Sequence, residues 1–190
     1  MHSHELRLHH FLPVSQVNGP GRRAVVWVQG CTLGCPGCFN PETHAAGNGN
    51  LVRVDDLFSQ IDALRDEIEG VTISGGEPLQ QRRPLERLLQ RIHAETSLTV
   101  LMFSGYSWTE IQSMPRIFTL LDCVDVLLAG RYDAQQRVAA GLLGSSNKTI
   151  HLLTSRYTAA DLQTIPQAEV IVGSDGEVIL SGIDPVRWTI

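Results

Sequence analysis

The chain has 190 residues, 43% of them hydrophobic and 18% charged, with 20 acidic against 15 basic residues and a formal net charge of −5. That is enough for one domain with its own core. The charge balance leaves out the basic footprint of a nucleic-acid or anionic-membrane binder. No apolar run approaches the about 18 residues of a membrane span, and the opening MHSHELRLHH has no signal-peptide core, so a cytoplasmic protein without membrane or nucleic-acid partners is expected.

In chain order, RRAVVWVQG (22–30) is a β-rich run that ends at a glycine. VRVDDLFSQIDALRDEIEG carries Leu57, Ile61, Leu64 and Ile68 on one helical stripe, with Gly70 as a stop. VTISGG (71–76) predicts a short buried strand. RPLERLLQRIHAET places Leu85, Leu88, Leu89 and Ile92 on one helical face, and LTVLMFSG (98–105) is strand again. SWTEIQSMPRIFTLL predicts a helix broken near Pro115, followed by a strand in VDVLLAG (124–130). KTIHLLT (148–154) predicts a strand and TAADLQTI a short helix. AEVIVGSDGEVILSG places the turn signal Ser174–Asp175–Gly176 between two apolar runs, which predicts a hairpin at about 168–182.

Strands with continuous apolar runs, alternating with helices, argue for a parallel sheet covered by helices. With no repeat and no linker, residues 1–190 read as one domain with a core at about 22–154. Gly75–Gly76, Gly105 and Gly130 close three strands in turn. Ligands of α/β folds bind beyond the carboxyl ends of strands, so these glycines mark the expected site.

The loop that follows the first of these strands, GCTLGCPGCFN, holds Cys31, Cys35 and Cys38 in the spacing C-x3-C-x2-C. Only Cys123 remains, in the apolar stretch LLDCVDVLL, where it reads as a core thiol. Clustered thiols in a reducing compartment mean metal or redox chemistry rather than a disulfide framework. A structural zinc site wants four ligands. His44, or one of His2, His4, His9 and His10 on a solvated amino terminus, could supply the fourth. Iron–sulfur clusters are also usually held by four thiolates, so a triplet on a [4Fe-4S] cluster leaves one iron open for exogenous chemistry. Gly34 and Gly37 permit the tight wrap that three ligands on one cluster need.

On these residues the chain resembles the radical S-adenosylmethionine (SAM) enzymes. Gly37 before Cys38, with Phe39 and Asn40 after it, is similar to the branch that activates anaerobic ribonucleotide reductase and other glycyl-radical enzymes. VNGPGRR (17–23), TISGGEPL (72–79), FSGYSWTEI (103–111), VDVLLAGRYD and GSSNKTI resemble further stretches of that branch, so the likeness covers nearly the whole chain. The resemblance implies that Cys31, Cys35 and Cys38 hold a [4Fe-4S] cluster. SAM then chelates the open iron and is reductively cleaved to methionine and a 5′-deoxyadenosyl radical. It implies that Ser74, Gly75, Gly76 and Glu77 approach the SAM ammonium, that Phe39 and Asn40 lie by the adenine, and that Ser104 and Tyr106 line the pocket. It further implies that Arg131 meets the SAM carboxylate, and that Asn147 contacts SAM or caps a helix. Ala129 stands where the branch commonly has Asp.

The fold so implied is a partial (β/α) barrel of about five to six parallel strands, since a full barrel takes about 250 residues. The implied partners are a glycyl-radical enzyme as protein substrate and a flavodoxin- or ferredoxin-type electron donor. Two alternatives stay open at this point: a small radical SAM enzyme modifying a peptide or metabolite, and an iron–sulfur electron-transfer protein that does not use SAM.

Overall fold

The computed structural model describes residues 4–173 and 176–183. Its elements in chain order are β1 (Glu5–Ser15), β2 (Arg23–Val28), β3 (Asn50–Arg53), α1 (Val54–Asp62), β4 (Gly70–Gly75), α2 (Arg82–Glu95), β5 (Thr99–Ser104), α3 (Trp108–Gln112), α4 (Phe118–Leu121), β6 (Val126–Ala129), β7 (Arg137–Ala140), β8 (Leu143–Ser145), β9 (Thr149–Leu152), α5 (Ala159–Gln163), β10 (Ala168–Val172) and β11 (Val178–Gly182). The fold is mixed α/β around a 7-stranded sheet of order β3-β1-β2-β4-β5-β6-β9. Strands β2, β4, β5 and β6 pair in parallel; β1, β3 and β9 join antiparallel.

The parallel part therefore has four strands among the described residues, not five or six. The reason lies in the connections. Parallel neighbours need a long crossover, usually helical, and α1, α2 and the α3–α4 pair supply three of them. Between β6 and β9 the chain forms only a short 3-10 turn and the β7–β8 hairpin, so β9 returns antiparallel. The sequence also hid β1. MHSHELRLHH reads as a solvated terminus, yet its second half is the start of an 11-residue strand paired on both sides.

Each parallel strand is buried on both faces, which explains its unbroken apolar run. On the helical face, Ala24, Val26, Val28, Val71, Ile73, Val100 and Met102 meet Leu57, Phe58 and Ile61 of α1 and the stripe of α2. Leu85, Leu88, Leu89 and Ile92 are all fully buried, as their spacing predicts; each contributes roughly 1.5–3 kcal/mol by burial. Helix α1 is shorter than its stripe. After Asp62 the chain tightens into successive turns, with Leu64 N–H donating to the Ile61 carbonyl at 3.0 Å and Arg65 N–H to the Asp62 carbonyl at 3.2 Å. Asp66, Glu67 and Glu69 follow, and negative charge at a helix carboxyl end opposes the macrodipole.

The opposite face packs Leu101, Val126 and Leu128 against Leu142, Leu162 of α5 and Ile165. Here the sheet's carboxyl ends open onto a cavity. The β10–β11 hairpin forms where expected, though Ser174 and Asp175 of its turn lie outside the described residues. No helix among the described residues is long and apolar enough to cross a membrane.

Candidate functional site

Three chain segments meet at the carboxyl ends of the parallel strands, following β2, β4 and β6. The first is the cysteine loop. Its base is fixed by backbone pairing: Gly30 N–H donates to the Thr43 carbonyl at 2.7 Å and Cys31 N–H to the His44 carbonyl at 3.1 Å. Gln29 reinforces the return, with its Nε2 donating to the Glu42 and Ala45 carbonyls at 3.0 and 2.9 Å. Between these anchors the loop curls through left-handed backbone at Gly34 (φ 63°) and Gly37 (φ 70°), and Cys38 N–H closes a turn onto the Cys35 carbonyl at 3.2 Å. A side chain at either glycine would strain that curl. All three thiols are free and half-buried.

The second turn is Ser74–Glu77. Gly76 N–H donates to the Val28 carbonyl at 2.8 Å and Glu77 N–H to the Gly30 carbonyl at 2.9 Å, which seats this strip against the root of the cysteine loop. A Cβ on Gly76 would collide with the Gly30 backbone, so only glycine permits this approach. Glu77 is 1% exposed. Its Oε1 accepts from Leu79 N–H at 3.0 Å and Ser104 Oγ at 2.9 Å, and its Oε2 from Gly105 N–H at 2.7 Å. Burial pushes its carboxyl above the usual range, against the pull of these donors and of Lys148. Through Ser104 and Gly105 the carboxylate ties the β4 turn to the end of β5.

The third turn follows β6. Residues 131–147 fold over the cysteine loop, with the Tyr132 ring 4.5 Å from Phe39 and the Arg137 guanidinium 4.9 Å from the same ring. Phe39 is thereby held against Tyr132 and Arg137, where Gly144 leaves its ring room.

These turns enclose one cavity of about 390 Å³. Cys31, Cys35, Cys38, Phe39, Asn40, Ser74, Gly75, Gly76, Glu77 and Ser104 all line it, so the structure gathers most of the residues singled out from sequence. Tyr106, Arg131 and Asn147 are placed elsewhere. Arg131 forms a two-pronged pair with Glu110 at 2.7 and 2.9 Å, Asn147 Nδ2 donates to the Arg131 carbonyl at 2.9 Å, and Tyr106 OH accepts from Gln80 Nε2 at 3.2 Å. Ala129 packs in the helix-side core and does not face the cavity.

The cavity's other walls are His9 and His10, weighed from sequence only as zinc ligands, and Trp27, Asn18, Tyr132, Lys148 and Leu180–Ile183, which the sequence did not single out.

The Arg131–Glu110 pair makes a pH statement. Arg131 first, then Ser107 N–H, hold the Glu110 carboxyl down at about 2, against an ordinary 4.5. A depressed carboxylate contributes its stabilisation fully above pH 4.5 and loses it as pH falls toward 2. Arg131→Ala is expected to raise the Glu110 titration part of the way back toward 4.5, with Ser107 still holding it down, read by carbon-detected NMR; an unmoved midpoint would show that the pair does not hold in solution.

The donor set decides which metal group fits. Among the described residues, no three His, Cys, Asp or Glu side chains gather tightly enough for one metal ion, which disfavours a zinc site completed by His44. Three half-buried thiols spread along one loop around a cavity suit a cluster, in which each thiolate takes a separate iron. Burial raises the Cys31 thiol above its ordinary value, so iron binding there displaces a proton.

The arrangement defines a class: a cluster-binding loop set at the carboxyl ends of a mostly parallel sheet. The family described as "4Fe-4S single cluster domain" matches residues 17–151, and the chain belongs to it. The anaerobic ribonucleoside-triphosphate reductase-activating protein of Salmonella typhimurium is 32% identical to the chain over 155 residues, which covers 78% of this chain and 99% of that one. The protein of the same description from enterobacteria phage T4 is 32% identical over 142 residues, covering 73% of this chain and 88% of the relative. Among solved structures, QueE from Escherichia coli aligns over 54% of each chain with 14% identity and a TM-score of 0.41.

Proposed function

We propose that this chain is a radical SAM activase: it holds a [4Fe-4S] cluster on Cys31, Cys35 and Cys38 and uses SAM to install a glycyl radical on a partner enzyme, an anaerobic ribonucleotide reductase by the names of its relatives. One observation carries the reading. The three thiols share a cavity with the glycine strip Ser74–Glu77, while the chain's remaining cysteine, Cys123, is buried in the helix-side core.

When bound, the cluster supplies one electron to SAM, whose cleavage yields methionine and a 5′-deoxyadenosyl radical. The residues of the chain do the rest. The thiolates of the loop bind iron. Gly75 and Gly76 present bare backbone to the cavity, where a cationic amino group could approach closely. Glu77, through Ser104 and Gly105, holds that strip in register with the end of β5. Phe39 offers an aromatic face, braced by Tyr132.

In this reading the sheet is a partial barrel, and its unclosed side admits the protein substrate. The electron donor is of flavodoxin or ferredoxin type and the setting is the cytoplasm. The test is anaerobic reconstitution with iron and sulfide, followed by SAM and a reductant. The expected result is methionine and 5′-deoxyadenosine in equal amounts, and a glycyl-radical doublet by electron paramagnetic resonance once the reductase is added. A cluster that cleaves no SAM, even with the reductase present, would make the chain an electron carrier instead.

A further inference from the structure

The sequence contains a single lysine, Lys148, and the fold places it in the wall of the cavity. Lysine is among the residue types least often removed from water, so a lone lysine in this position calls for a reason. It begins the chain's approach to β9, with its N–H donating to the Ser145 carbonyl at 3.3 Å. Its stem crosses the end of β6: a Cβ built on Gly130 would lie 3.4 Å from the Lys148 Cα and 3.6 Å from its Cγ.

No carboxylate among the described residues lies within ion-pair distance of its ammonium, and no side chain or backbone group among them accepts a hydrogen bond from it. Burial works against the ammonium, while the negative charge of Cys35, Glu77 and Cys38 favours it. The Glu77 carboxylate is oriented by Leu79, Ser104 and Gly105 and makes no ion pair with Lys148. The other cation first considered for this cavity, Arg131, is engaged by Glu110 outside it. Lys148 is therefore a cation in the wall of the cavity that all three cluster thiols line, with no ion-pair partner among the described residues.

We propose that Lys148 sets the reduction potential of the cluster, acting as a fixed positive charge that stabilises the reduced, more negative state. This rests on the cluster assignment proposed above. The physics is direct. Reduction adds one negative charge to a group in a partly desolvated site, where a nearby cation is screened far less than in water. Net charge around an iron–sulfur cluster is one of the levers that place its potential. Three thiolates and the Glu77 carboxylate all push the potential down. Lys148 offsets part of that and keeps the cluster within reach of a one-electron donor. It acts on the cluster through space and touches no reacting bond, so it is a positioning residue for charge.

The test is a redox titration of the reconstituted protein without SAM, using dithionite as reductant and following the reduced [4Fe-4S]⁺ signal by electron paramagnetic resonance. Wild type is compared with Lys148→Met, Lys148→Gln and Lys148→Arg at equal iron and sulfide content. The two neutral variants are expected to disfavour reduction by about tenfold, which for a one-electron couple is a midpoint lower by about 59 mV. Lys148→Arg, which keeps the charge, should stay close to wild type. An unchanged midpoint in both neutral variants overturns the proposal and leaves the cluster assignment standing. Loss of the cluster from both neutral variants, with retention in Lys148→Arg, also overturns it, because the charge would then serve assembly rather than potential. A wild-type protein that takes up no cluster would instead remove the proposed function itself.

Discussion

Cys35→Ala is expected to lose essentially all cluster iron and, with it, all reductive cleavage of SAM. Cys35 lies midway along the loop, between the two glycine kinks, and it lines the cavity with Cys31 and Cys38. Nothing can replace it. Cys123 is 8% exposed among Leu120, Leu121 and Val124, and its Sγ donates at 3.8 Å to the Thr119 carbonyl. With only two thiolates left, the cluster has lost one of its three protein ligands, so two of its four irons are without one. Cys123→Ala is the matching control. It removes a small buried group, so about 1 kcal/mol of stability is at stake, while iron content and cleavage stay at wild-type levels. Iron and sulfide analysis after anaerobic reconstitution checks both variants. Full iron in Cys35→Ala, or lost iron in Cys123→Ala, would contradict the ligand assignment.

Arg23→Met is expected to destabilise the metal-free protein by about 3 kcal/mol, a drop in melting temperature of roughly 6–12 °C for a chain of this size. Arg23 begins β2, at the end of the parallel strands opposite the cavity, and is fully buried. Its Nε donates to Thr72 Oγ1 at 2.9 Å. Nη1 donates to the Pro20 carbonyl, Thr99 Oγ1 and Tyr157 OH at 3.2, 3.0 and 3.0 Å, and Nη2 to the carbonyls of Val71 and Thr99 at 2.9 and 3.1 Å. One guanidinium thus stitches the starts of β2, β4 and β5 to the loop before β2 and to the segment after β9. Burial lowers its pKa, and Tyr157, Asp125 and Glu69 oppose that shift without forming an ion pair. Methionine fills the volume but satisfies none of the acceptors, and each buried group left unpaired costs about 1–3 kcal/mol. Thermal or urea unfolding at neutral pH measures the loss. A change below about 0.5 kcal/mol, the range of an ordinary surface substitution, would mean that water takes over the network.

Arg23 and Lys148 were both invisible as functional or structural choices in the sequence, for the same reason. RRAVVWVQG reads as a strand with a solvated arginine pair at its start, and only Arg22 behaves that way: it is exposed, while its neighbour is wholly enclosed. Arg22 lies in the loop before β2 and Arg23 is its first residue, and whether a strand-end side chain stays dry depends on what covers it. For Arg23 the cover includes Tyr157, far along the chain. Arg131 failed in the other direction. Its position at the end of β6 was read correctly, but its side chain follows Glu110, a partner set by where α3 docks. Trp27, His9 and His10 became cavity walls because β1 pairs back against β2, a pairing that no local run of residues announces.

What the sequence determined by itself was everything written in short covalent range. The C-x3-C-x2-C loop, its glycine kinks, the stripe of α2, the apolar runs that became strands and the glycines at their ends are properties of neighbouring residues, whereas the parallel direction expected of the run at 148–154 was not: β9 pairs antiparallel. They were sufficient to put the cysteines, Ser74–Glu77 and Ser104 on one side of one sheet. The tertiary structure decided the rest: the antiparallel edges, the closing of Glu77 onto Ser104 and Gly105, the pairing of Arg131 with Glu110, and the exposure of Lys148 to the cavity. Those depend on sheet order, register and the docking of segments distant in the chain. A side chain's spacing fixes the direction in which it leaves the backbone; only the assembled fold decides what it meets there.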